Sequence, residues 1–170
     1  MTAVRRRATT TCAGVACAVF FAACARYGDD AESSVHVPAR EGFEAVNAIL
    51  EPHCGTLDCH GSPARNFRVY GVYGLRASGG DVTGSPDTTD AEVDATYDAI
   101  VALEPETLGA VYAEHGRSPE RWIVVGKARG IEKHTGGLRL PAGSDGDRCL
   151  VSWLAGAVDE TSCNADVFGP

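Results

Sequence analysis

Methionine is all but missing from this chain of 170 residues: its only copy is Met1, so the body of the protein offers no thioether to a metal. Beyond the first two dozen residues no segment approaches the roughly 20 apolar residues that a membrane-spanning helix needs. No Gly-x-Ser-x-Gly elbow, phosphate loop or zincin helix motif occurs, which leaves no motif-based case for a hydrolase. Asp58, Asp81, Asp87 and Asp90 lack EF-hand spacing and read as solvated loop residues. There is no internal repeat. Cations are also scarce, 15 Lys and Arg against 23 Asp and Glu. That balance argues against nucleic acid and anionic head groups, and for solubility and basic redox partners.

What is present begins with a leader. Arg5, Arg6 and Arg7 form a cationic n-region, and Ala8 to Ala23 a small-residue and apolar h-region. Together they read as an export signal. Phe21-Ala22-Ala23-Cys24 resembles the bacterial lipobox, which would make Cys24 the lipidated mature N-terminus. Cys17 leaves too short an h-region, and an ordinary cleavage near Ala23 or Ala25 is the alternative. Loss of residues 1–23 removes three arginines and no carboxylate, taking the formal charge from −8 to −11. The remaining 147 residues suffice for one domain with a real core. Residues 24–40 read as a flexible polar tether, 41–163 as the domain and 164–170 as a tail.

The segment with most chemistry is Cys54-Gly55-Thr56-Leu57-Asp58-Cys59-His60-Gly61. Two thiols closed by a histidine are what covalent haem attachment requires: each thiol adds to a vinyl group, and the histidine becomes the first axial ligand. Here four residues separate the cysteines, a wider variant of the usual two. A pair of half-cystines beside an exposed histidine is the plainer alternative. A zinc site built on Cys54, Cys59 and His60 would need a distant fourth ligand and lacks a second matched pair. Cys54, Cys59, Cys149 and Cys163 form an even set in an oxidising compartment and admit three disulfide pairings. If haem takes the first two, Cys149 and Cys163 are left to each other.

Helices are expected where apolar spacing is three and four. Phe43, Val46, Ile49 and Leu50 mark one from Glu41 to about His53, ending at the cysteine motif. Residues 65–76 suggest short extended segments and turns, and 78–87 a loop. Thr89-Asp90-Ala91-Glu92 fits a capping box opening a second helix. Pro105 and Pro119 open shorter ones, the latter with Trp122 and Ile123. Lys127 to Gly137 reads as a surface loop. Ser144 and Asp147 cap a last helix with Leu150, Trp153 and Leu154 inward, and Gly156 ends it.

An exported domain whose first helix runs into Cys…Cys-His-Gly, with Trp153 in a closing Val151-Ser152-Trp153-Leu154-Ala155-Gly156 helix, resembles class I cytochrome c. It is most similar to the cytochrome c-like domains of large bacterial surface proteins, with Asn66-Phe67-Arg68-Val69-Tyr70-Gly71 in the place of their short strand. The resemblance spans about Glu41 to Ala157. It implies a mainly α fold with an enlarged, loop-rich middle at 77–130, and one covalent haem c on Cys54 and Cys59 with His60 proximal. The protein would then be a lipid-anchored electron carrier of the bacterial envelope, by resemblance at the outer membrane, rather than an enzyme. Those domains supply a second axial ligand from a Met-Pro pair, where this chain has Leu140-Pro141. His134, a few residues earlier, is the candidate for that position. His115 and His53 are weaker, an open iron site is the alternative, and His36 lies in the tether.

Overall fold

The computed structural model describes residues 35–77 and 87–167. The leader, Cys24 and Asp81 lie outside those residues. The protein is mainly helical: α1 Phe43–Cys54, α2 Asp90–Val101, α3 Pro105–Ala113, a 3₁₀ turn Pro119–Arg121, α4 Ile123–Ala128, α5 Asp145–Leu154 and α6 Glu160–Val167. Extended structure among the described residues amounts to one isolated bridge, Tyr70 to Leu75. The middle expected to be loop-rich is largely helical where described, because α2, α3 and α4 fall in it.

α1 is the central element and packs against α2, α5 and α6. Its apolar stripe works as the spacing predicts: Phe43, Val46, Ile49 and Leu50 are all buried. Each such side chain stabilises the fold by about 1.5–3 kcal/mol. Phe43 meets Trp153 of α5 at 5.1 Å and Tyr97 of α2 at 5.4 Å between ring centres. Trp122 and Trp153 are buried as well, and each indole N–H finds a carbonyl, Leu103 at 2.8 Å and Ala39 at 2.9 Å. Those bonds remove the penalty of burying a polar N–H.

Trp153's acceptor belongs to the segment expected to be tether. From residue 35 the chain lies on the domain: Pro38 is buried, its carbonyl accepts from the Tyr97 hydroxyl at 2.9 Å, and Val37 packs on the core. The tether therefore ends earlier than the polar composition suggests.

Helix ends follow local chemistry. Thr89 and Glu92 form the expected capping box, with Glu92 N–H donating to Thr89 Oγ1 at 3.3 Å and Thr89 N–H to Glu92 Oε2 at 2.9 Å. Ser144 Oγ accepts from Asp147 N–H at 3.3 Å and opens α5. The helix expected from Pro119 divides instead. Trp122 is extended, so the chain makes a 3₁₀ turn before it and α4 after it.

α6 has no counterpart in the periodicity, since among its described side chains only Ser162 and Cys163 are buried. Polar and covalent bonds hold it. Asp159 accepts from Ser162 N–H at 3.1 Å, Cys163 is disulfide-bonded to Cys149, and Asp166 accepts from Gly146 N–H at 3.2 Å and from His53 Nε2 at 2.7 Å.

A second polar tie lies between α1 and α2. Arg76 meets Glu92 through two bonds, 2.5 and 3.0 Å, with both side chains almost wholly buried. Glu51 of α1 accepts from Thr88 Oγ1 at 2.8 Å and Val72 N–H at 3.1 Å. These pairs pin the 70–77 segment across the helices and so form the floor behind the cysteine motif.

Candidate functional site

Pro52 lacks the N–H that would bond Ala48, and α1 stops two residues later at Cys54. The chain then folds back tightly. Gly55 N–H donates to the Leu50 and Glu51 carbonyls, His60 N–H to the Cys54 carbonyl at 2.8 Å, and Gly61 N–H to the Thr56 carbonyl at 3.0 Å. Gly61 and Gly74 both press against Gly55, where a Cβ on either would collide with the Gly55 carbonyl oxygen. Only glycine allows that approach. The wide spacing of the cysteines is thus taken up by a compact loop that presents Cys59 and His60 beside the end of α1.

Cys54 and Cys59 are free thiols, both half-buried. Burial pushes the Cys54 thiol up to about 12, partly relieved by Arg139, so it keeps its proton at neutral pH. His60 is half-buried, and its Nδ1 lies 3.0 Å from the Phe67 carbonyl oxygen. A carbonyl only accepts, so Nδ1 carries the proton and Nε2 keeps a free lone pair. Burial lowers the pKa of His60. The Phe67 carbonyl opposes that shift, and the charges of His134, Arg65 and Lys127 add to it. The ring is therefore held neutral, the form that binds metals.

Across from it, on the loop between α4 and α5, stands His134. The two imidazoles are 6.0 Å apart between centres, with planes 21° from parallel. Both border two adjoining cavities. The larger, about 450 Å³, is walled by Leu50, Phe67, Leu103, Ile123, Val124 and Leu150, and Cys54 opens on it. The smaller, about 300 Å³, has Cys59, Asp58, Thr135 and Gly136 in its wall. Arg65 and Arg139 edge both, and Lys127 the first. The larger falls within the size range of small-molecule and cofactor pockets.

The structure thus brings together Cys54, Cys59, His60 and His134. His53 is instead paired with Asp166, and His115 sits in an exposed turn outside both cavities. Among the described residues no group of three or more His, Cys, Asp or Glu is placed to hold a metal ion, so the multi-ligand zinc reading finds no fourth donor there. Cys149 and Cys163 are joined. Sequence reasoning missed the rim cations Arg65, Lys127 and Arg139 and the wall contributed by Leu103, Ile123 and Val124. One signal was available for Arg65: no Asp or Glu occurs from Cys59 to Ala77. No family model, curated protein or solved structure matches the chain.

Proposed function

We propose that this protein is a lipid-anchored, c-type cytochrome-like electron carrier with one covalent haem. The observation that carries the reading is the pairing of two imidazoles across an apolar cavity, with two free thiols beside the first. Two imidazoles bound on opposite sides of one metal ion, each at about 2 Å, have ring centres about 6 Å apart. The donor set suits a haem on further counts. Cys54 and Cys59 would each add S–H across a vinyl group, sulfur to one carbon and hydrogen to its neighbour. Arg65, Lys127 and Arg139 edge the cavities and would pair with carboxylates of such a ligand.

A bound haem would supply one-electron exchange between ferric and ferrous iron. The chain's own part is to hold and tune. The Phe67 carbonyl fixes the His60 tautomer, as hydrogen bonds behind metal-ligating histidines commonly do. Leu50, Phe67 and Leu150 give the larger cavity an apolar wall. His134 would serve where the family resembled uses methionine, which would favour a lower potential because imidazole is the stronger donor to ferric iron. Cys24 would fasten the domain to the envelope, with the outer membrane favoured by resemblance to sorted lipoproteins. No helix among the described residues is long and apolar enough to cross a membrane.

The test is expression of the full chain with a cytochrome c maturation system. Haem should stay with the polypeptide through denaturation and acid extraction, and the mass should rise by one haem. Colourless protein of apo mass overturns the reading. Alkylation of the same sample then separates the alternatives: a Cys54–Cys59 disulfide would mark a haem-free, stapled lipoprotein.

A further inference from the structure

We infer that Asn47 and Glu51 form a proton-binding site between α1 and α2, in which Glu51 Oε1 takes the proton and the Asn47 amide turns over to accept its hydrogen bond. The two side chains lie one turn apart on α1 and are 1% and 5% exposed. Asn47 Nδ2 donates to Glu51 Oε1 at 2.8 Å, while Asn47 Oδ1 is buried and meets no donor among the described residues. A buried acceptor left open calls for a reason. The two ends of an amide have nearly the same shape, so a half-turn brings Oδ1 onto Glu51 without repacking. Oδ1 only accepts, so that arrangement requires a proton on Oε1. One amide atom lacks a partner in either state, so the bond count does not choose between them and charge does.

Charge is thinly compensated there. Among the described residues Glu51 forms no ion pair. The nearby guanidinium, Arg76 of the 70–77 segment, is committed to Glu92 of α2 through two bonds, and Glu92 is itself a like charge acting on Glu51. On α1, His53 turns to Asp166 of α6, and Asp147 of α5 is held by Arg129. Burial raises the pKa of Glu51 above the ordinary 4.5; the donors Thr88 and Val72 oppose the rise, Glu92 adds to it and Arg76 opposes it.

The proton changes the hold on the neighbouring chain. Glu51 Oε2 accepts from Thr88 Oγ1 and Val72 N–H, and Gly71 lies so close that a Cβ there would strike the carboxylate. Bonds to an ionised acceptor are roughly twice as strong as neutral ones. A proton on Oε1 leaves Oε2 an acceptor, but a neutral one. It therefore relieves a buried charge while slackening the tie on residues 70–77, whose Gly74 abuts the cysteine loop at Gly55 and Gly61. Acidity would reach that loop by this route.

The pair is built by α1, α2 and the 70–77 segment and takes nothing from the haem reading, so the test uses the full chain as expressed, with haem or without. Infrared difference spectra across pH should show the C=O stretch of a protonated carboxyl growing as pH falls, with a midpoint above 4.5, and Glu51→Gln should lose that band. In wild-type NMR spectra the Asn47 side-chain N–H₂ signals should move with the same midpoint. Exchange of the Val72 amide, corrected for its intrinsic pH dependence, should quicken below it. A folded pKa above the unfolded value gives stability that is complete below the ordinary 4.5 and is lost as pH rises through the folded value. The folding constant of Glu51→Gln relative to wild type should therefore climb from about pH 4.5 toward neutrality. A ratio that stays constant, or an unchanged carboxyl band in Glu51→Gln, overturns the inference. An Asn47 amide indifferent to the titration overturns it too, because Glu51 would then hold its proton without that partner. Should Glu51→Gln not fold, the Asn47 signals of wild type decide alone.

Discussion

Polar groups are treated in opposite ways in two regions of the domain. Around α5 and α6 everything is closed: Cys149 is bonded to Cys163, Arg129 to Asp147 at 2.7 Å, and Asp166 to both His53 and Gly146. The Arg76–Glu92 pair extends the same pattern beneath the 70–77 segment. Around the cavities the thiols of Cys54 and Cys59 are unbonded, His60 keeps an open nitrogen, and among the described residues no carboxylate pairs with Arg65, Lys127 or Arg139. Unpaired polar groups are costly when buried, so proteins close them unless something else is to meet them. The difference locates function better than the number of cysteines or histidines does.

The comparison breaks first, and hardest, at its closed side. Arg76→Met strands the Glu92 carboxylate and should cost about 3–5 kcal/mol in urea unfolding. A loss under about 1 kcal/mol would show that the pair is not isolated from water. The pH dependence follows from Glu92. Burial alone would raise its pKa, but the Arg76 guanidinium and the N–H groups of Thr89 and Ala77 overcome this and hold it at about 2, below the ordinary 4.5. A depressed folded pKa contributes stability that is full above the unfolded value and disappears as pH falls through the folded one. Wild type should therefore lose stability between about pH 4.5 and 2. Arg76→Met should show a much shallower acid limb over that range.

Removing the disulfide as Cys149→Ser/Cys163→Ser should cost about 3 kcal/mol for a loop of this length. Hydrogen exchange should quicken most in α6, which has little else to hold it. Covalent haem content should stay the same, because the closed cysteines serve the fold and the open ones the site. A disulfide variant that no longer takes up haem would erase the distinction between the two regions.

The smallest effect on stability sharpens the open side. His134→Ala touches a half-exposed loop residue and should change unfolding free energy by less than about 0.5 kcal/mol. Its optical effect should be large. With haem attached, a low-spin spectrum should become high-spin and the iron should bind cyanide or carbon monoxide. His115→Ala should do neither. A wild-type spectrum that is already high-spin would leave His134 without a role on the iron.

Much of this fold is legible locally. The Thr89–Glu92 box, the Ser144 cap and the Phe43-Val46-Ile49-Leu50 stripe each depend on residues within a turn or two of one another, and each appears where spacing places it. α6 was illegible because its hold is long-range: a sulfur 14 residues away and His53 at the far end of α1. Its one local signal, Asp159 at capping distance from Ser162, does not figure in the apolar periodicity. The site divides the same way. Cys54, Cys59 and His60 are contiguous and could be read, and His134 could be singled out by its place before Leu140-Pro141. Arg65, Lys127 and Arg139 could not be assembled from sequence, because no periodicity tells which loop cations will share a rim.

The glycines beside the motif have a use in searching for relatives. Gly61 and Gly74 abut the Gly55 carbonyl so closely that no side chain fits at either position. The spacing Gly-x₅-Gly-x₁₂-Gly is thus a stricter template for this loop than the cysteine interval, which a folded-back backbone can absorb. Distant chains that have exchanged Cys54 or Cys59 for other residues should still be retrievable by that glycine pattern, and would reveal which came first, the loop or its thiols.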